Sequence, residues 1–451
     1  MIKRKIIGSL NDWKLSVIRK PLVLRGARQV GKTTVVNEFA KGYKQYIYLN
    51  LERKENALIF KNYTSFQSLV EGIFFLNGKD IQEKNTLIFI DEIQEVPEAI
   101  NLLRYFYEDF SQFHVIAAGS LLETILNEKV NIPVGRVEYR VMRPITFIEF
   151  LGALEEKSAI GQYENLPIND FAHDKMLQLF NLYILVGGMP EIVNNYAKNR
   201  NLTTLTPIYE DLIESYMMDV EKYARHSAMT NIIRHTIKSM TAEAGNRIKF
   251  QNFGNSNYGS REIGEAFRIL EKALLIQLVY PTLSAKFPII PDKKKSPRLQ
   301  MLDTGILNHA AGIQKELSLM PAIENAFKGK IIEHIVGQEL LGSQYSVLGE
   351  LNFWTKEKQS SIAEVDFVRI YEGTLFPIEV KSGATGTLKS LQAFINECPH
   401  HWAIRLYAGR FSVDSLVTKN QKAFYLMNLP YYLTGKIDDY LKWFTENYPL
   451  K

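Results

Sequence analysis

Residues 26–33 read GARQVGKT and residues 87–92 read LIFIDE. The first segment has the G-x-x-x-x-G-K-[ST] spacing of a phosphate-binding loop. Gly26 and Gly31 let the backbone curl, so that the N–H groups of Gly26, Ala27, Arg28, Gln29, Val30, Gly31, Lys32, Thr33 and Thr34 converge on an anion at a helix start. Lys32 is placed to reach the β- and γ-phosphates of a nucleotide, and the Thr33 hydroxyl to ligate Mg²⁺. Residues 86–90 form an apolar run suited to a strand buried on both faces. Asp91 at its end would complete the Mg²⁺ shell, and Glu92 would polarise an attacking water. The bland alternatives are a glycine turn before a helix and, for Glu92, an acid stabilised by a helix dipole.

Two further side chains belong to this chemistry. Residues 114–118 read as a strand ending in Gly119-Ser120, so Ser120 is a candidate γ-phosphate sensor. It is equally a helix N-cap, with Glu123 at the capping-box position. Arg136 precedes the expected strand at 137–141 and is a candidate arginine finger or sensor, or a solvated ion pair. Asn77-Gly78-Lys79-Asp80 lacks the N-K-x-D spacing that GTP recognition would need, so ATP is the expected nucleotide.

A second constellation lies near the C-terminal end. Residues 363–370 and 375–381 read as two strands joined by a turn at 371–374. If Ile370 pairs with Leu375, then Asp366 faces Glu379, with side chains about 5 Å apart, and Lys381 lies two residues along. Opposed carboxylates are costly on a bare sheet; a divalent metal held by Asp366 and Glu379 removes that cost, and Lys381 can then orient a water or steady a phosphate. The helical stretch at 331–340 offers a further acid. Periodicity sets Glu333 at the border of its apolar stripe and Glu339 nearer the middle, and does not choose between them.

The elements that must position these groups can be read in outline. Residues 1–146 alternate strand and helix patterns, as an α/β P-loop NTPase core should. Residues 147–220 turn helical, interrupted by a turn at 186–190, and read as a lid. Residues 221–284 give helix, helix and ribbon, suited to a winged helix-turn-helix or to a small helical connector. Residues 285–451 complete an α/β nuclease-like unit. Lys293, Lys294 and Lys295 read as a basic hairpin tip.

The chain has 451 residues, 46% hydrophobic and 23% charged, with a net charge of +5 from 54 basic and 49 acidic residues. Such a balance allows nucleic acid without arguing for it. The single Cys398 excludes a disulfide framework, and the eight histidines show no metal-ligand spacing. The basic N-terminus is followed by no apolar run, and no stretch approaches the ~20 apolar residues of a membrane span. The expected setting is the cytoplasm, with no membrane partner.

From residue 22 to about residue 394 the chain resembles a prokaryotic family of archaeal-type AAA ATPases with a C-terminal restriction-endonuclease-like, PD-(D/E)XK domain of otherwise unknown function. Ordered motifs carry the resemblance: RGARQVGKTT from Arg25, LIFIDEIQ from Leu87, AAGSLLE from Ala117, GRVEYRVMRPITFIEFL from Gly135 and GGMPE from Gly187. LDTGILN from Leu302, KGKIIEHIVGQELL from Lys328, and EVDFV with PIEVKSG complete the series. The resemblance implies ATP and Mg²⁺ at Lys32, Thr33, Asp91 and Glu92, a sensor at Ser120 and an arginine role at Arg136. It also implies Glu333, rather than Glu339, alongside Asp366, Glu379 and Lys381. The expected function is an ATPase coupled to a module that binds nucleic acid, DNA ahead of RNA, and that cleaves it if Mg²⁺ or Mn²⁺ is held there. The alternative is a nucleotide-switched DNA- or protein-binding regulator with a catalytically inactive nuclease-like fold. A homo-oligomer fits either reading, with Arg136 acting within its own subunit or across to a neighbour.

Overall fold

The computed structural model describes residues 2–119, 135–222, 224, 226–313, 325–358, 361–383 and 388–449. Its N-terminal part is built on a parallel sheet of β1 (Leu22–Arg25), β2 (Gln45–Asn50), β3 (Thr86–Asp91), β4 (His114–Gly119) and β5 (Glu138–Val141), in the order β2-β3-β4-β1-β5. The strands are short apolar runs because helices cover both faces; Leu22, Leu24, Ile88, Phe89, Ile90 and Ile116 are fully buried. The order has a consequence for chemistry. β4 lies between β1 and β3, so the loop after β1 and the acidic end of β3 flank the end of β4 on one edge of the sheet.

A run of helices follows: Phe147–Ala153, Lys157–Tyr163, His173–Val186, Pro190–Asn199 and Thr206–Glu221. The turn expected at 186–190 separates the third from the fourth. Helices Ser227–Met240 and Ser260–Lys272 come next; the first buries Ile232, Ile233, Ile237 and Met240 along one face. An antiparallel ribbon of β6 (Ile276–Val279) and β8 (Arg298–Met301) succeeds them, with the short β7 (Pro281–Thr282) between. The ribbon spans the boundary expected at 284/285: β8 belongs with β6, and the chain between them is too long to announce a hairpin.

The C-terminal part holds β9 (Phe353–Lys358), β10 (Ser361–Val365), β11 (Phe367–Tyr371), β12 (Thr374–Val380), β13 (Trp402–Tyr407), β14 (Ser412–Val417) and β15 (Ala423–Pro430). A mixed sheet runs β11-β12-β13-β15-β14; β12, β13 and β15 are parallel, and β11 and β14 are antiparallel to their neighbours. Helix Lys389–Glu397 carries the crossover between β12 and β13. The hairpin register is Ile370 with Leu375, Val368 with Pro377 and Phe367 with Ile378. Asp366 directly precedes β11, and its Oδ2 accepts the N–H of Val380, the neighbour of Glu379 on β12, at 2.7 Å.

Helix Asn325–Gly342 ties the parts together. His334 Nε2 accepts the Met301 N–H at 3.0 Å, Gln338 Oε1 accepts the Thr304 N–H at 2.8 Å, and Glu339 Oε1 accepts the Phe147 N–H at 2.9 Å. Successive residues on one helix thus hold the ribbon, the 302–308 motif and the helical run.

Candidate functional sites

The phosphate-binding loop leaves β1 at Gly26, where a Cβ would lie 2.6 Å from Met142 O; only glycine lets the backbone pass. Gln29 (φ 63°) and Gly31 (φ 93°) take left-handed conformations that turn the loop into helix Lys32–Ala40. No side chain caps that helix, so its first N–H groups stay available to an anion. Lys32 is buried, and its Nζ donates to Gly26 O (2.9 Å) and Ala27 O (3.0 Å), curled back over the loop. Burial lowers its pKa, while Glu92 and Asp91 oppose the shift.

Thr33 Oγ1 donates to Asp91 Oδ2 at 2.7 Å, and Tyr48 OH donates to the same oxygen at 3.1 Å. Two side chains of the type that share a magnesium shell therefore meet here, 58 residues apart in sequence. Burial raises the Asp91 pKa, and the Thr33 hydrogen bond moderates the rise. Glu92 has φ 51°, an unfavourable conformation for a non-glycine residue, and its carboxylate accepts from Gln94 Nε2. The donor set suits a nucleotide with Mg²⁺: helix-end amides and a lysine for phosphates, a hydroxyl and a carboxylate for the ion.

The sequence did not announce what surrounds this loop. Arg28 Nη1 pairs with Asp219 Oδ1 at 3.0 Å, and Tyr216 OH donates to Arg28 O at 3.1 Å, so helix Thr206–Glu221 touches the loop directly. A cavity of about 510 Å³ beside Gly31 and Thr34 is lined by Ile2, Ile7, Val35, Ile145 and Pro190. Lys3, Arg4, Glu38 and Asn194 also line it, so a purine base would meet apolar surface and polar groups together. Pro190 is the fourth residue of the GGMPE motif, and the turn before it is tightly packed: a Cβ on Gly187 would meet Asp303 Oδ1 at 2.4 Å, and Gly188 N–H donates to Asp303 Oδ2 at 2.6 Å. Burial pushes Asp303 up to about 6.

Arg136 precedes β5, in which Glu138 pairs with Leu22 and Val141 with Arg25. It therefore sits at the opposite edge of the sheet from the loop, half exposed, with Nε donating to Glu108 Oε1 at 2.7 Å. Within its own chain it does not face the phosphate site, because strand direction sets the two at opposite ends of β1 and β5. Ser120 lies outside the described residues; Gly119, just before it, ends β4 between β1 and β3.

At the second constellation Glu333, Asp366, Glu379 and Lys381 come together. Asp366 Oδ2 accepts the Val380 N–H at 2.7 Å, and Lys381 Nζ donates to Glu379 Oε1 at 2.5 Å. Glu339 points elsewhere, bonded to Phe147 N–H and Tyr183 OH. The unforeseen member is Arg298, from β8. Its guanidinium lies 3.3 Å from Asp366 Oδ1 and 3.7 Å from Glu333 Oε2, and is also paired with Glu364. Burial works against its charge, but Asp366, Glu364 and Glu333 hold it more firmly protonated than usual. Burial and then the charge of Asp366 push Glu333 and Glu379 well above the ordinary carboxylate range. Glu379 Oε2 is buried without a partner among the described residues. Two cations, Arg298 and Lys381, stand among the four acids, and among the described residues no group of three or more His, Cys, Asp or Glu side chains is gathered as a metal cluster. Asp366 and Glu379 are the residues that would hold a divalent metal there, and Glu379 Oε2 is the oxygen left open to one.

Residues 18–151 match a family model described as an AAA domain. Residues 177–317 and 328–431 match two domains of unknown function, DUF8612 and DUF4143. The N-terminal part of the chain is thus an AAA-type, P-loop ATPase-like domain. Comparison with curated proteins returned no match. Among solved structures, the Walker-type ATPase paby2304 of Pyrococcus abyssi is similar at 13% identity and a TM-score of 0.45, over 69% of this chain and 96% of that one. The Aeropyrum pernix ORC1 protein in complex with DNA is similar at 12% identity and 0.27, over 70% and 92%. The Thermotoga maritima RuvB Holliday junction branch migration motor is similar at 15% identity and 0.27, over 65% and 93%. Among the described residues no helix is long and apolar enough to cross a membrane.

Proposed function

We propose that this chain hydrolyses ATP and passes its nucleotide state to a C-terminal, PD-(D/E)XK-like domain that binds nucleic acid, DNA ahead of RNA. The observation that carries the ATPase reading is the 2.7 Å bond from Thr33 to Asp91 beside the buried Lys32. The loop amides and Lys32 bind the phosphates, and the apolar cavity takes the base. Thr33 and Asp91 would hold Mg²⁺, which would supply charge that offsets the phosphates. Glu92 takes the proton of the attacking water. Arg28, Asp219 and the helix beyond them carry the change toward the ribbon. Ser120 stays a proposed sensor, and Arg136 a proposed finger toward a neighbouring copy in a homo-oligomer.

Coupling to the second unit runs through β8, which presents Arg298 to the acids and is clamped by His334. The helix–helix–ribbon unit is read as winged-helix-like. Arg298 also favours a second reading, a nucleotide-switched regulator whose nuclease-like domain binds without cutting.

The test is cleavage of supercoiled and linear DNA with Mg²⁺ or Mn²⁺, with and without ATP, beside Glu379→Ala. Metal-dependent nicking lost in Glu379→Ala would establish a nuclease. DNA binding without cleavage, with ATP turnover intact, would establish the regulator. Absence of binding to DNA and RNA in every nucleotide state would overturn the nucleic-acid reading and leave only a protein-binding regulator.

A further inference from the structure

A second cavity, of about 270 Å³, lies where β1, β5, β6 and β8 approach helix Asn325–Gly342. Its walls carry four cations, Arg25, Arg143, Arg268 and Lys272, against two carboxylates, Glu271 and Glu350. Glu271 is partly spoken for, since its Oε1 accepts the Leu278 N–H at 2.8 Å. Arg143 reaches Gly349 O only at 3.5 Å, and its Nε is buried with no partner among the described residues. The amide oxygen of Gln277, another lining residue, is buried and unpartnered in the same way. Unmet buried donors and acceptors are costly, and a cluster of them in one concave site points to a ligand that meets them. Burial, and then the like charge of Arg25, lowers Arg143 to about 10, the direction expected of a guanidinium whose anion is missing.

We propose that this cavity binds a phosphate ester of up to mononucleotide size, with the phosphate on Arg143, Arg25, Arg268 and Lys272 and a polar group of the ligand on Gln277. The volume is near the lower end for ligand pockets and leaves no room for a duplex. Planar guanidinium groups recognise phosphate oxygens in pairs, which a hydrated lysine cluster would not. The site is distinct from the ATP site but joined to it. Arg25 is the residue before Gly26, Met142 N–H donates to Arg25 O at 2.7 Å, and Met142 O is the atom that crowds Gly26. An anion drawing on Arg25 and Arg143 therefore acts on the entrance to the phosphate-binding loop, and its binding alters ATP turnover.

The experiment titrates pyrophosphate and AMP calorimetrically into full-length Lys32→Ala protein, in which the phosphate-binding loop has lost its cation. The expected result is saturable one-site binding of at least one probe. Adding Arg268→Ala, an exposed change, weakens that binding at least tenfold, and Arg143→Gln does the same; melting curves verify that each variant is folded. Absence of binding by both probes, or affinities within twofold in both arginine variants, would overturn the proposal. So would binding of a short DNA duplex that depends on these arginines while neither small probe binds.

Discussion

Arg298 Nη2 lies 3.3 Å from Asp366 Oδ1, joining a strand of the ribbon to the acidic hairpin of the C-terminal sheet. The same guanidinium pairs with Glu364 and approaches Glu333, so one cation from β8 stands among three acids of the other unit. Opposed carboxylates need a counter-charge, and here a side chain supplies it where sequence reasoning expected a metal. The position of β8 and the charge state of the acidic set are therefore linked.

Removing that counter-charge should be expensive. Arg298→Ala leaves buried acids unpaired, and loss of one partner from a buried pair costs about 3–5 kcal/mol. Millimolar Mn²⁺ should then raise the melting temperature of Arg298→Ala by more than it raises that of the parent. Equal shifts in the two proteins would mean that Arg298 does not stand in for a cation.

Asp219 restrains Arg28 at the phosphate-binding loop and adds negative charge near Lys32. Arg28 is 40% exposed, so the pair contributes under about 1 kcal/mol to stability. Asp219→Asn should leave melting nearly unchanged yet tighten ATP binding by roughly fivefold, equivalent to about 1 kcal/mol, because the guanidinium is released toward the phosphates. Fluorescent-nucleotide titration measures this; weaker binding would contradict it.

Glu339 is buried between helix Phe147–Ala153 and Tyr183, and burial pushes it up to about 7 from an ordinary 4.5. Its proton is held in the folded chain but lost from the unfolded chain between those values. Stability is therefore greatest below pH 4.5 for this group and falls as pH rises to 7, by about 3 kcal/mol. Asp303, pushed up to about 6, adds a fall in the same direction. Glu339→Gln keeps an oxygen for Phe147 N–H and should flatten the dependence of melting temperature on pH between 5 and 7.5. An unchanged slope would show that Glu339 is ionised throughout.

Lys32→Ala removes the one lysine of the phosphate-binding loop. ATP turnover should fall by at least about 100-fold, with melting of the apo chain little changed because its amine bonds only loop carbonyls. Turnover within tenfold of the parent would place the phosphates elsewhere.

Much of this site was legible because its signals are local. The loop, the acidic end of β3 and the 366–381 hairpin each depend on residues within about twenty positions, where periodicity and turn chemistry speak directly. The pairing of Ile370 with Leu375 followed from the two-residue period once Tyr371 to Thr374 was read as a turn. Arg298 was not legible, since its partners lie 66 and 68 residues further along and no spacing announces them. Periodicity also could not separate Glu333 from Glu339; the packing of helix Asn325–Gly342 between two units separates them, one acid facing Arg298 and the other Phe147. The apolar cavity beside Gly31 escaped notice because Ile2, Ile7, Ile145 and Pro190 look like ordinary core residues until the fold brings them together.

Steady-state turnover with Mg²⁺, with and without duplex DNA, reads ATP hydrolysis at Glu92 and its coupling to nucleic acid in one measurement. The expected result is measurable hydrolysis whose rate changes with DNA, and a loss of about 100-fold or more in Glu92→Gln while ATP still binds. Hydrolysis that survives Glu92→Gln, or a rate indifferent to DNA at low and high salt alike, would contradict it.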